Sequence, residues 1–239
     1  MAAELCPLAV GALRRLAGSV KMPSMFANLE VKDVFPTPLW IADLEPGRAG
    51  LLNEQLKSEI YRLTEPRKEI PIGGTWQTDP VLHQRKEFAE FTKLVNQAAK
   101  AALDFLTIRH DGFDITGCWA NINPLGGQNS PHLHPNNFLS GVYYVALPDD
   151  QGQITFADPR LQAQMIMPRV KSWNKYMGNE IAVDIKPGRF VMFPSWLVHS
   201  VRINRSEQHR ISISFNVMFS DYTEKMSKPL WQGTAALSK

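Results

Sequence analysis

Cysteine is nearly absent from this 239-residue chain. Cys6 and Cys118 cannot build a disulfide framework, and neither sits in a Cys-x-x-Cys pair. A reducing compartment is therefore the simplest expectation, and with it a cytoplasmic location. No stretch approaches the ~18 consecutive apolar residues that a membrane span needs, so no membrane partner is expected. Charge of one sign is not in excess either. The 26 Lys and Arg face 23 Asp and Glu, for a formal net charge of +3, and no basic block or stripe stands out. Nucleic-acid binding has no support in that balance. A glycine-rich phosphate loop, an internal repeat, a low-complexity segment and a nucleophilic Ser or Cys constellation are all missing.

What is present is ordinary globular material. With 44% hydrophobic and 21% charged residues, the chain is neither disordered, collagen-like nor a coiled coil. The expected organisation is a flexible tail at residues 1–24, a single domain at 25–225 with its helices at the N-terminal side, and a second tail at 226–239. In the first tail an apolar start precedes Arg14, Arg15 and Lys21, with Glu4 the only acid. A secretory signal has the opposite order. An organelle transit peptide, or a start upstream of the true one at Met22 or Met25, are the alternatives to a plain tail.

The first expected strand runs from Val31 to Leu44, and Pro36 and Pro38 assign it to a sheet edge. A helix follows, with Leu52, Leu56, Ile60 and Leu63 on one face and Pro66 as its stop. Phe88, Phe91, Val95, Ala98, Ala102 and Leu106 mark a second helix that ends near His110-Asp111-Gly112. Beyond it the texture becomes short strands separated by Gly, Pro, Asn and Asp: Phe113–Ile122, Leu139–Leu147, Gln153–Phe156, Glu180–Ile185, Arg189–Phe193, His199–Ile203 and Arg210–Phe219. Helices first and many strands afterwards predict an α+β, mainly β protein, with a closed or sandwiched sheet and helices packed outside it.

Of the six histidines, His132, His134 and His199 carry the chemical signal. In extended backbone, residues two apart point the same way, so His132 and His134 can present two ligands to one ion. A third ligand from a distant strand completes one face of an octahedron and leaves the other positions open for substrate and dioxygen. The last strand alternates strictly: Ile211, Ile213, Phe215 and Val217 face one way, Arg210, Ser212, Ser214 and Asn216 the other. That polar side either meets solvent or lines a polar cavity inside a small barrel. In a cavity, Arg210 can form a bidentate pair with a carboxylate and Ser212 can add one hydrogen bond.

The ordered set His132-x-His134-Pro135, Leu139-Ser140-Gly141-Val142-Tyr143-Tyr144-Val145, Phe193-Pro194-Ser195-Trp196-Leu197-Val198-His199-Ser200-Val201 and Arg210 to Asn216 resembles the iron(II)- and 2-oxoglutarate-dependent dioxygenases. More narrowly it resembles their bacterial and phage branch, over roughly residues 30–220. The resemblance implies a double-stranded β-helix, or jelly roll, with the metal at its mouth. It implies iron(II) held by His132, His134 and His199, and 2-oxoglutarate as cosubstrate, chelating the metal while Arg210, assisted by Ser212, binds its far carboxylate. Hydroxylation of a substrate C–H bond with release of succinate and CO2 would follow. Asn121 and Asn123, on one face with Trp119, either bond the cosubstrate or are satisfied polar groups near a strand end. The wider superfamily has an acid where this chain has His134, and the branch often has Ser where this chain has Asn137.

Three neutral imidazoles leave iron(II) at +2, where two imidazoles and a carboxylate leave +1. That difference keeps two rivals open: a three-histidine cupin-type dioxygenase that uses no 2-oxoglutarate, and a non-catalytic barrel that binds a ligand or partner. His134 outside the metal's coordination sphere is a further alternative. The substrate, a small molecule or peptide, is not legible, nor is the oligomeric state. One of Tyr143 and Tyr144 must point inward. Arg160 is either an exposed charge or a substrate contact, Trp173 and Tyr176 sit in a long loop able to close over a substrate, and Trp196 is expected in the core. His83, His110 and His209 are expected at the surface.

Overall fold

The structure is a computed structural model that describes residues 28–65, 73–148, 152–160, 162, 165–166, 168–172 and 174–223. Both expected tails, 1–24 and 226–239, and Trp173 lie outside the described residues. Two compact units divide the chain, Met1–Pro36 and Thr37–Lys239. In the first, residues 28–36 carry no regular structure. The strand expected from Val31 therefore begins only at Trp40, because Pro36 and Pro38 remove ladder donors upstream of it.

Among the described residues, ten strands form two antiparallel sheets. The larger has the order β1 (Trp40–Asp43), β8 (Arg189–Pro194), β5 (Leu139–Ala146), β10 (Arg210–Phe219), β3 (Phe113–Asn123) and β2 (Trp76–Gln77). The smaller has the order β4 (Asn129–His132), β9 (His199–Val201), β6 (Ile154–Ala157) and β7 (Glu180–Val183). Residues of both sheets, Val142, Tyr144, Val191 and Phe193 with Ile154, Phe156 and Val183, share one buried cluster between them. This is the jelly roll expected from the sequence. The strands read from residue 113 onward are all present, with ends within two residues of expectation. The two-residue β2 and the Pro131-containing β4 were not legible as strands.

The helices cover the outer face of the larger sheet. Helix α1 (Pro46–Thr64) starts with Pro46, whose fixed φ suits a first helical turn, and buries Leu52, Leu56 and Ile60. Helix α2 (Ala89–Phe105) buries Phe91, Val95 and Ala102, after two short 3-10 turns at Leu82–Gln84 and Lys86–Phe88. It ends at Phe105, short of His110, and Thr107 has turned to φ 53 two residues later. The main apolar cluster lies between these helices and the alternate residues Ile211, Ile213, Phe215 and Val217 of β10. Consecutive tyrosines on β5 therefore part company. Tyr143 points out and donates a 2.7 Å hydrogen bond to Asn53 Oδ1 on α1, whereas Tyr144 points in.

Gly141 permits the closest approach in this outer layer. A Cβ there would collide with the Phe215 ring and lie 2.8 Å from Met192 Cγ. The Gly141→Ala variant is expected to lose about 1–3 kcal/mol through overpacking. The check is a lower urea midpoint at unchanged m-value.

Candidate metal centre

The cluster is built by strand pairing. His132 closes β4, and its register partner across the ladder is His199, the first residue of β9. His134 lies two residues beyond His132, where its backbone N–H donates to Ser195 O at 2.9 Å and ties the segment to the β8–β9 turn. One ring nitrogen from each of the three histidines lies within 4.8 Å of the others. Ring centroids are 4.3 Å apart for His132 and His199, 5.0 Å for His132 and His134, and 5.1 Å for His134 and His199.

Two of these imidazoles have their tautomer set by backbone. His132 Nδ1 donates to Ser130 O at 2.8 Å and His199 Nδ1 to Leu197 O at 3.0 Å, so in each ring Nε2 is left as the acceptor. His199 is further packed between Phe193 and Phe156, with ring centroids at 4.5 and 6.0 Å. Burial pushes His134 down to about 3, helped by the neighbouring His199 and His132. Burial also pushes His199 down to about 4, against the pull of the Leu197 carbonyl. Neutral, convergent imidazoles of this kind suit a divalent transition metal, so the donor set fits iron(II).

The same cavity carries Arg210. Its side chain is 1% exposed, yet it forms no ion pair among the described residues. Nη1 donates to Asn123 Oδ1 at 3.1 Å and to Ser212 Oγ at 3.3 Å, while Nε is buried with no partner. The guanidinium lies over the Tyr144 ring, 5.3 Å from its centroid, and Tyr144 Oη is likewise buried without a partner. Burial pushes the Tyr144 phenol up to about 12 against the pull of the Arg210 charge, so it stays a donor. A buried cation with an unpartnered Nε, beside a buried phenol with no partner, fits a carboxylate, and 2-oxoglutarate ends in one.

Other residues singled out by the sequence fall in two groups. Trp119, Asn121, Ser212 and Ser214 line the cavity, and Trp119 reaches His134 with ring centroids 5.8 Å apart. Asn121 is already engaged: Oδ1 accepts from Gln77 Nε2 at 2.8 Å, and Nδ2 donates to Ser214 Oγ at 3.0 Å. Asn123 donates to Thr75 Oγ1 at 2.8 Å and accepts from Arg210. Asn137 lies outside the cavity lining and donates to Pro135 O.

Arg160 pairs with Asp158 next to it, and Tyr176 is exposed. Trp196 overturns expectation. It is 53% exposed, because the turn between β8 and β9 buries Ser195 and Leu197 and turns Trp196 outward. His83, His110 and His209 are half-buried rather than fully at the surface, and His209 Nδ1 lies 3.0 Å from Tyr61 Oη. Gln77 and Asn129 also line the cavity and were missed. They sit on the two strands too short to show alternation.

Residues 117–216, or 100 of 239, match a family model described as "Putative 2OG-Fe(II) oxygenase". The match spans all three histidines and Arg210. No curated protein sequence matches the chain. Among solved structures, a Pseudomonas putida prolyl-4-hydroxylase aligns with TM-score 0.51 and 18% identity over 75% of this chain and 92% of its own. SnoN, described as a non-heme alpha ketoglutarate dependent epimerase from nogalamycin biosynthesis, aligns with TM-score 0.57 and 13% identity over 84% and 89%. HygX from Streptomyces hygroscopicus, solved with nickel and 2-oxoglutarate, aligns with TM-score 0.55 and 12% identity over 77% and 83%. At such identities these likenesses establish the double-stranded β-helix fold, and the segment 117–216, which carries the three histidines and Arg210, is similar to the putative 2OG-Fe(II) oxygenases.

Proposed function

We propose that the protein hydroxylates a C–H bond of an organic substrate, with His132, His134 and His199 holding iron(II) and Arg210 anchoring 2-oxoglutarate. One observation carries the reading. Three convergent histidines and a fully buried guanidinium with no carboxylate partner among the described residues line the same cavity. When bound, iron and cosubstrate supply the oxidation: one oxygen atom of O2 enters the C–H bond and the other enters succinate as CO2 leaves.

The chain's share is position and exclusion. Ser130 and Leu197 carbonyls hold two imidazoles with Nε2 turned to the metal position. Asn123 orients Arg210 for the far carboxylate, Ser212 assists, and the Tyr144 phenol adds a donor. Asn121 holds the Gln77–Ser214 side of the wall and so acts on the cosubstrate indirectly. Val142, Ile154, Phe193 and Val201 form the apolar wall that keeps bulk water from the reacting atoms. Trp119 and Gln77 face the remaining space, where substrate enters.

The test is an anaerobic titration of the Fe(II)-loaded protein with 2-oxoglutarate, followed by the visible metal-to-ligand charge-transfer band. A saturating band is the expected result. Bound iron without a band at any cosubstrate concentration would sink the reading in favour of a cupin-type dioxygenase. Failure to bind iron would favour a non-catalytic barrel.

A further inference from the structure

Electric charge in the cavity does not cancel once the cofactor and cosubstrate of the proposed function are counted. Iron(II) on three neutral imidazoles keeps its +2, the 2-oxoglutarate dianion brings −2, and Arg210 adds +1. The described residues that line the rest of the cavity are neutral, and no Asp or Glu is among them. Two acids at the nearby ends of β6 and β7 do not compensate. Asp158 is held by Arg160 at 2.7 Å, and Glu180 by Arg202 at 2.6 Å. A carboxylate ligand would bring the sum to zero, but His134 stands in its place. An uncompensated positive charge in a site walled by Val142, Ile154 and Phe193 is unfavourable, and the ligand that removes it gains most of what its absence costs.

We infer that the substrate is anionic, a small molecule that carries a carboxylate or equivalent monoanionic group into the cavity beside the metal. The inference rests on the proposed function and adds its substrate class. Neutral donors are available to the incoming group: Gln77 donates to Asn121 through one N–H and has a second, and Trp119 offers its ring edge or face. Selectivity comes from the charge, because these amides serve a neutral substrate as well as an anion.

Acetate and acetamide separate the two cases, being alike in shape and different in charge. Each is titrated at constant ionic strength into the anaerobic Fe(II) protein saturated with 2-oxoglutarate, and the charge-transfer band is the readout. One unit of charge at ~6 Å and an effective dielectric of ~20 alters a monoanion's affinity roughly a hundredfold before screening. Acetate is accordingly expected to shift the band at a concentration at least about tenfold below that needed for acetamide. In His134→Asp, which returns a negative charge to the ligand set, that preference is expected to shrink about tenfold.

Equal titrations of acetate and acetamide in the wild type overturn the inference. So does an acetate effect that only bleaches the band by displacing the cosubstrate, or a preference that survives unchanged in a His134→Asp protein that still gives the band. If that variant does not fold or hold iron, the wild-type comparison decides alone. Absence of the band in the wild type with iron bound overturns the proposed function itself, and is thereby told apart from failure of this inference.

Discussion

Arg210→Met is expected to abolish 2-oxoglutarate binding while leaving the metal-free fold as stable as before, or more so. The two effects have one cause. In the metal-free protein the guanidinium is fully buried, and only Asn123 and Ser212 share its hydrogen bonds. Burying a cation without a carboxylate is costly, and methionine fills a similar volume without that cost. Once the cosubstrate arrives the balance reverses, because truncating one partner of a buried, hydrogen-bonded charge pair costs about 2–5 kcal/mol. The cosubstrate concentration at half-saturation of the charge-transfer band should therefore rise roughly thirtyfold to several thousandfold. Tyr144→Phe removes one neutral donor and should raise it about tenfold, near 1–1.5 kcal/mol. A large fall in melting temperature of metal-free Arg210→Met, with cosubstrate affinity intact, would assign Arg210 to the scaffold instead.

The second large effect concerns His199→Ala. In the proposed centre two imidazoles cannot hold the metal as three would, and the Phe193 and Phe156 rings around the site offer no donor in exchange. Removing an outer partner of a metal ligand costs ~10–100-fold in metal affinity, and removing the ligand itself should exceed that. Iron(II) or nickel(II) calorimetry measures it directly.

The same histidines set how the metal-free protein responds to acid. Unfolded, each takes up a proton below the ordinary value of 6.5, whereas in the fold His199 resists until about 4 and His134 until about 3. The unfolded state thus binds more protons across that window, and stability rises with pH there and falls as acid is added. Metal-free wild type should lose stability from about pH 6.5 downward. His199→Ala should flatten the slope by removing one of the two contributions. Denaturant midpoints taken at several pH values give both slopes, and parallel slopes would contradict the account.

The parts of this site that were legible are those in which one strand writes its own pattern. The alternation of β10 announced both a core face and a polar face, and strand pairing placed Arg210 inside as the polar choice required. His132 and His134 were legible because two-residue spacing in extended chain is itself a geometric statement, completed by the β4–β9 ladder. What could not be read depends on partners far away in sequence. Nothing local decides between Tyr143 and Tyr144; Asn53, 90 residues earlier, settles it by accepting the Tyr143 hydroxyl. Gln77 belongs to a two-residue strand, too short for any periodicity. Trp196 was misplaced because a large aromatic normally earns burial, and here the turn geometry outranks that preference. The edge strand expected at Val31 failed for a local reason, since the two prolines that marked it as an edge also delayed its start.

The opposed tyrosines of β5 bear on how such a protein can drift in sequence. One residue answers to a helix outside the barrel and its neighbour to the chemistry inside it, and β3 and β10 repeat the arrangement. Substitutions that retune the reaction and substitutions that erode the scaffold therefore interleave along each strand, one position apart. A lineage can exchange Trp119 on the cavity side of β3 and so reshape the cavity while Cys118, Ala120 and Ile213 keep the barrel shut. An insertion of a single residue in those strands has no such freedom, because it exchanges the two registers and forfeits both at once.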